Sequence, residues 1–397
     1  MFSVVTLLAL IASVRLIAPA DTASSVRRQL VYLRSQLSSG AAARAQQDFP
    51  EGYFFLYALY GLTEVDLGLG SSSRSTALRE ARWALAHLSS AEGRAPFSPS
   101  LSPSYGIFYR GWVNWLRGGI LLLQPASARD PAEVTRFQQD SAAIAAAFDD
   151  SPTPFLAAYP GQVWPVDSVV AVASLALADK LFPAHYGPLM IRWVANVQAR
   201  LDPLTGLIPH TADPDTGSPT SGARGSSQSI MQRFLVEIDP SFARAQYAHF
   251  RTWFLTAPLG LGPAVREYPH GTSGPSDVDS GPLPLGVSLS ATVVSIGAAK
   301  VQGDSSLAAG LANFGEVAGV PLDTPHTRRY AFGAVPIGDA FLAWSKSARP
   351  WVAPAQTGLA PVISPWWRMP LLTLFLAIGT APWLLAAAWR RRRPAVS

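Results

Sequence analysis

The sequence predicts an all-α protein of consecutive helix pairs, closed into a ring or stacked as a solenoid, with a C-terminal transmembrane helix. Three observations predict it. Helical periodicity recurs in about twelve segments that arrive in pairs, with no convincing strand run among them. Long loops rich in Gly, Pro and Asp join the pairs, which a plain bundle does not need. Leu371 to Trp389 is uncharged and almost wholly apolar, about the ~20 residues that cross a bilayer.

Composition narrows the classes. A chain of 397 residues can bury a sizeable core. Charged residues are only 14%, against roughly 25% in ordinary soluble domains. The net charge of +5 sits in the tail: five of the 31 basic residues, Arg368 and Arg390 to Arg393, follow position 367 with no acidic residue beside them. The remaining 26 basic residues balance 26 acidic ones, so the folded part lacks the basic excess of a nucleic-acid binder. With no cysteine, disulfides, thiolate chemistry and cysteine-ligated metals are excluded.

In chain order, residues 1–20 read as a signal peptide or an N-terminal membrane anchor: an apolar run from Val4 to Val14, Arg15, then a possible cleavage site at Ala18 to Ala20. The helical domain spans 24–348. Ser24 to Leu37 carries Val26, Leu30, Leu33 and Leu37 near helical spacing. Pro50 to Leu62 reads as an aromatic-faced helix, and TEVDLG after it as a loop. Ser75 to Leu88, Ile107 to Leu123, Pro131 to Phe148, Val163 to Leu181 and Tyr186 to Ala199 follow as helices. Ala199 to Ser227 is turn-rich. Periodicity resumes over Ser229 to Leu235 and Pro240 to Leu255, then Leu289 to Val301, Ser305 to Ala318 and Ala331 to Ala348. A Pro/Trp linker (349–368) leads to the transmembrane helix (369–389) and a basic tail (390–397). Trp366, Trp367 and Trp389 flank that helix, and the arginines after it place the tail in the cytoplasm and the domain outside.

The loop DPLTGLIPH, Asp202 to His210, resembles the helix-to-helix loop of six-hairpin (α/α)6 toroid enzymes. WPVD before one helix and DVDSGP before another are similar to that superfamily too. It includes glycoside hydrolases, polysaccharide lyases, sugar epimerases and linalool dehydratase-isomerase-like proteins. The resemblance covers roughly residues 45 to 345 and implies an (α/α)6 toroid whose inner-helix N-termini open on a cavity. The linalool dehydratase-isomerase group uses cysteines, which this chain lacks, so that chemistry does not carry over.

Two stretches carry the candidate chemistry. In YPGQVWPVD, Asp167 opens a helix, where free N–H groups favour a carboxylate, and Tyr159, Gln162 and Trp164 offer hydrogen bonds and a stacking face. In YPHGTSGPSDVDSGP, Asp277 and Asp279 are two apart. Extended, they point to the same side with Val278 opposite; in a turn, which the Ser, Gly and Pro around them favour, they diverge, with Asp279 toward the cavity and Asp277 toward backbone N–H groups. His210 and His270 each follow proline and titrate near neutrality. Glu267 and Tyr268 are further contact candidates. Arg110, beside Trp112, either pairs with a carboxylate or receives an anionic group.

The catalytic candidates are therefore Asp279, Asp167, His270 and His210; Tyr159, Gln162, Trp164, Asp277, Tyr268, Glu267, Arg110 and Trp112 are the substrate contacts. No metal or cofactor is expected, since no close histidine pair, phosphate loop or nucleophile elbow occurs. Two acids with aromatic platforms suit a sugar. The expectation is an envelope enzyme acting on a carbohydrate or glycolipid. The alternatives are a non-catalytic binder of glycan, lipid or protein, and an isomerase or dehydratase of small apolar alcohols.

Overall fold

A computed structural model describes residues 2–71, 73–183 and 185–392, with the backbone alone for Phe2, Pro365 and 390–392. The rest of the basic tail, 393–397, lies outside the described residues. The helices run α1 (Phe2–Ile17), α2 (Ala23–Ser38), α3 (Ala41–Asp48), α4 (Gly52–Leu69), α5 (Arg74–Leu88), α6 (Ala91–Arg94), α7 (Gly106–Leu122) and α8 (Pro131–Asp149). They continue with α9 (Pro165–Leu181), α10 (Gly187–Gln198), α11 (Gly225–Ile238), α12 (Pro240–Phe254), α13 (Leu289–Val301), α14 (Ser305–Ala318), α15 (Pro336–Ser347) and α16 (Met369–Arg392).

These helices form an (α/α) toroid. Six of them, α4, α7, α9, α11, α13 and α15, each pack against the next, and α15 returns to α4 to close the ring. Outside it, α2, α5, α8, α10, α12 and α14 pack on that inner layer. Burial follows the layers. An inner helix is touched on every side, and Gly52 to Gly68 of α4 are all buried. An outer helix such as α12 buries Phe242, Tyr247, Phe250 and Phe254 and exposes its other face.

The interior is filled with rings. Trp112 of α7 meets Phe234 of α11 edge-on at 5.5 Å and Trp344 of α15 at 5.6 Å. Those helices are not ring neighbours of α7, so the contacts cross the axis. Close helix approach depends on small residues: a Cβ on Gly111 would lie 2.9 Å from the Ala171 backbone nitrogen in α9. Gly111→Val is expected to lower stability by about 1–3 kcal/mol, read from the melting transition.

The two ends of the ring differ. At one end inner helices hand over to outer ones through short turns; Asp239 alone separates α11 from α12, and its carboxylate caps α12. At the other end outer helices return through long loops holding three two-stranded ribbons: β1 (Thr211–Ala212) with β2 (Pro219–Ser221), β3 (Leu255–Thr256) with β4 (Ala264–Val265), and β5 (Leu322–Asp323) with β6 (Arg328–Arg329). This second end, where inner helices begin, is the mouth.

The sequence reading needs one main correction here. TEVDLG is not a loop; it is the last turns of α4. Its Asp66 is paired from far away: the carboxylate accepts from Arg233 and from the Trp351 indole at 2.9 and 2.7 Å. Residues after α15 close this far end. Trp351 stacks on Trp115 at 4.5 Å, and Glu237 accepts the backbone N–H groups of Trp351, Val352 and Ala353.

The helix α16 is long and apolar enough to cross a membrane. Along it lies α1, antiparallel: Thr6 bonds to the Gly379 carbonyl, and Leu16 clusters with Trp367 and Leu371. The base of this hairpin is tied to α14, where Asn313 donates to the carbonyls of Arg15 and Ala18 and accepts from Arg368.

Candidate functional site

Inner-helix N-termini meet at the mouth, and acidic side chains meet with them. Asp167 stands in the first turn of α9, 4% exposed. Burial raises its pKa well above the carboxylate range, and the charges of Asp279 and Glu51 raise it further. Glu51 holds the N-cap position of α4, where its carboxylate accepts the Tyr159 hydroxyl. Tyr159 is held by a tight turn closed on Gln162, with Gly161 at φ 71°. Its ring stacks near Phe97 at 5.9 Å and meets Trp164 edge-on at 5.7 Å. Burial, Glu51, Asp167 and Asp279 all raise the Tyr159 pKa, so the phenol stays protonated.

Asp279 comes from the loop before α13. The residue is solvent-exposed at the mouth. Partial desolvation by the protein around the carboxyl, then Asp277, Glu51 and Glu267, pushes its pKa up to about 6 against the opposing pull of Arg224. Asp277 behaves differently. It receives Arg224 at 2.5 Å and the Ser280 backbone N–H at 2.9 Å. Partial burial opposes its ionisation, but those bonds outweigh it and its pKa is lowered. The two aspartates diverge, one braced and one at the mouth.

Arg224 organises this wall. Its Nε donates to Glu267 at 2.7 Å, and its guanidinium lies 5.2 Å from the Tyr268 ring centre. Glu267 is fully buried and also accepts from the Ser226 N–H and hydroxyl. Gly225 follows because the chain touches itself there: a Cβ would stand 2.0 Å from the Arg266 carbonyl oxygen. His210 shares a 2.5 Å hydrogen bond with Ser227. Burial, then Arg224, pushes the imidazole down to about 4, so it is neutral at pH 7.

The fold thus brings Asp167, Asp279, Tyr159 and Trp164 together, with Asp277, Glu267, Tyr268 and His210 in the adjoining wall. Gln162 enters through its backbone, and its side chain is exposed. Three candidates stand elsewhere. His270 is exposed, its Nε2 bonded to the Leu255 carbonyl at 2.8 Å. Trp112 is in the core. Arg110 faces outward to α8 and pairs with Asp140 at 3.0 Å. Sequence reasoning missed Glu51, Arg224 and Ser227. Glu51 had a usable signal, a carboxylate at the start of an inner helix, as at Asp167; Arg224 and Ser227 had none. Among the described residues, no three His, Asp or Glu side chains stand together as a metal-ligand set.

The rim is two-sided. Around α13 and α15 it carries Leu259, Leu285 and Phe332, which are 79%, 64% and 69% exposed. Each sits at the tip of a short turn in the left-handed region, φ 54°, 56° and 60°, where bulky residues are strained. The same sector touches the base of the α1–α16 hairpin: Leu261 packs with Trp367, and Arg15 donates to the Pro321 carbonyl.

The carboxyls set a pH signature. Both Asp167 and Asp279 have folded pKa values above the ordinary range of an aspartate. Their stabilising contribution is therefore full below about pH 4 and lost as pH rises through the folded values. Melting temperature is expected to fall from pH 5 to pH 8. The Asp167→Asn/Asp279→Asn double variant should show a smaller fall, and an unchanged slope would disprove the coupling.

The fold and the mouth define a helical toroid with coupled carboxyl groups at the N-terminal ends of its inner helices. No protein-family description matches this chain, and no curated protein matches it.

Proposed function

We propose that the chain is a membrane-anchored enzyme whose extracytoplasmic toroid acts on a carbohydrate or glycolipid of the cell envelope by carboxylate acid–base chemistry. The observation that carries this reading is the coupling of Asp167, Asp279 and Glu51 around Tyr159. Acids with pKa values pushed apart from the ordinary range supply a proton donor and a base near neutral pH. Asp167, protonated by burial, is the donor to a leaving oxygen. Asp279, with its pKa of about 6, is the base. Tyr159 and Trp164 are the aromatic edge on which a sugar ring rests.

The α1–α16 hairpin is the anchor. Its outer surface is apolar, with Leu7, Leu8, Leu10, Leu376, Leu384 and Leu385 exposed. Arg390 to Arg393, directly after the apolar stretch that ends at Trp389, assign the tail to the cytoplasm. The toroid, residues 24–348, and the linker, 349–368, then lie outside. The apolar tips at Leu259, Leu285 and Phe332, set beside the anchor base, support a lipid-linked glycan over a soluble one, since they turn the mouth toward the headgroups.

The test uses the full-length chain in detergent, screened by thermal shift and product mass spectrometry against free envelope oligosaccharides and lipid-linked sugars. Stabilisation and turnover of the lipid-linked sugar are expected. If neither class binds, the carbohydrate reading fails. A glycan that binds without ever being converted would make the protein a receptor.

A further inference from the structure

A polar cavity lies outside the ring, between α6, α7 and α8. Its walls include Arg94, Arg110, Arg117, Arg136, Tyr105 and Asp140, and it encloses about 60 Å³. That exceeds the ~10–15 Å³ that admits one water and is of the order of one phosphate group. Three arginines share its single carboxylate: Arg110, Arg117 and Arg136 reach Asp140 at 3.0, 3.3 and 3.3 Å. Arg94 makes a fourth guanidinium, positioned with Arg110 over the Tyr105 ring at 5.4 and 5.8 Å.

The charges do not balance. Four guanidinium groups face one carboxylate, and the Arg117 and Asp140 side chains are only 13% and 6% exposed. Burial, with Arg136 nearby, lowers the Arg117 pKa despite Asp140. The buried Arg117 Nε is the atom that stands 3.3 Å from Asp140 Oδ2, an ion-pair contact without hydrogen-bond alignment. A buried guanidinium whose carboxylate contact is misaligned and shared with two other arginines keeps donor capacity for an ion or water, and a planar fork of N–H groups fits a tetrahedral oxyanion.

We infer that this cavity is a binding site for a phosphate-bearing group, held by Arg94, Arg110, Arg117 and Arg136, with Asp140 gathering three of the four guanidiniums at its wall. It stands independently of the carboxyl site, separated from it by the Phe97 and Tyr109 rings, which pack against each other at 5.3 Å while Phe97 stacks on Tyr159.

The test is a melting experiment on the full-length chain in detergent. Inorganic phosphate is titrated against chloride at matched ionic strength. The expected result is a saturable rise of about 3 °C at a hundredfold over the dissociation constant. Arg94→Gln and Arg136→Gln remove the outer two guanidiniums and should weaken phosphate binding at least tenfold each. Asp140→Asn melts lower without phosphate and shows a larger phosphate shift than wild type, because the competing carboxylate is gone; an ion network of purely structural use gives no phosphate-specific rescue. Glycerol 3-phosphate and phosphatidate in mixed micelles form the remaining arms. A stronger shift with phosphatidate assigns the site to a lipid headgroup, and equal shifts assign it to soluble phosphate. A wild-type response no larger than that to chloride, or equal responses in wild type and the arginine variants, overturns the inference.

Discussion

Asp279→Asn is expected to lower turnover about 10²- to 10⁴-fold, the contribution of a positioned acid or base, while the fold stays intact. At pH 5 the variant should melt with wild type. At pH 8 it should melt at the same temperature or higher, because desolvation, then Asp277, Glu51 and Glu267, disfavour the ionised carboxylate, and the uncharged amide escapes the repulsion. Asp277→Asn should do the reverse. It loses the charge-assisted bond to Arg224 and the turn closed on Ser280. The cost is about 1 kcal/mol, at the low end because the carboxylate is 40% exposed. Any activity lost with Asp277 should therefore follow the melting curve. Equal kinetic defects in two variants of equal stability would dissolve the division of labour between the aspartates.

The largest stability loss is expected from Arg233→Met. Arg233 is 6% exposed, donates to Asp66 and to the Trp344 carbonyl at 2.9 and 2.8 Å, and stacks 3.7 Å from the Trp344 ring centre. Removing it strands a buried carboxylate, a loss of about 3–5 kcal/mol, measured by denaturant titration. Burial already raises the Asp66 pKa against the pull of Arg233. Without the arginine, Asp66 takes up a proton on folding, so the variant loses less at pH 5 than at pH 8. The Asp66→Asn/Arg233→Met double variant should lose less than the sum of the singles, since the pair acts as a unit. Additive losses would show that the ion pair does not bind the far end of α4 to α11 and α15.

Much of the architecture was legible without coordinates, because it rests on local pattern. Periodicity marked the helices, and the Gly-, Pro- and Asp-rich stretches marked the long loops, which all fall at the mouth. The same patterns pointed to Asp167 and Asp279, as a carboxylate opening an inner helix and a carboxylate in a loop that packing does not require. The apolar stretch before the final arginines was plain from composition. Other features depended on partners hundreds of residues away. TEVDLG looked like a loop because its charges argue against burial; Arg233 and Trp351 satisfy Asp66 and keep the segment helical. Arg110 and Trp112 lie two residues apart on α7, yet one faces α8 and the other the ring axis, a choice set by the helix's rotation in the toroid. Glu51 became part of the mouth only because α4 and α9 begin at the same end, so that Tyr159 reaches it. The sequence by itself determined most of the helical segments and the long Gly-, Pro- and Asp-rich loops between them, since those follow from backbone propensity and hydrophobic spacing. Only the tertiary structure decided which carboxyls share a site and which are braced, because burial and neighbouring charge, not residue type, set their protonation.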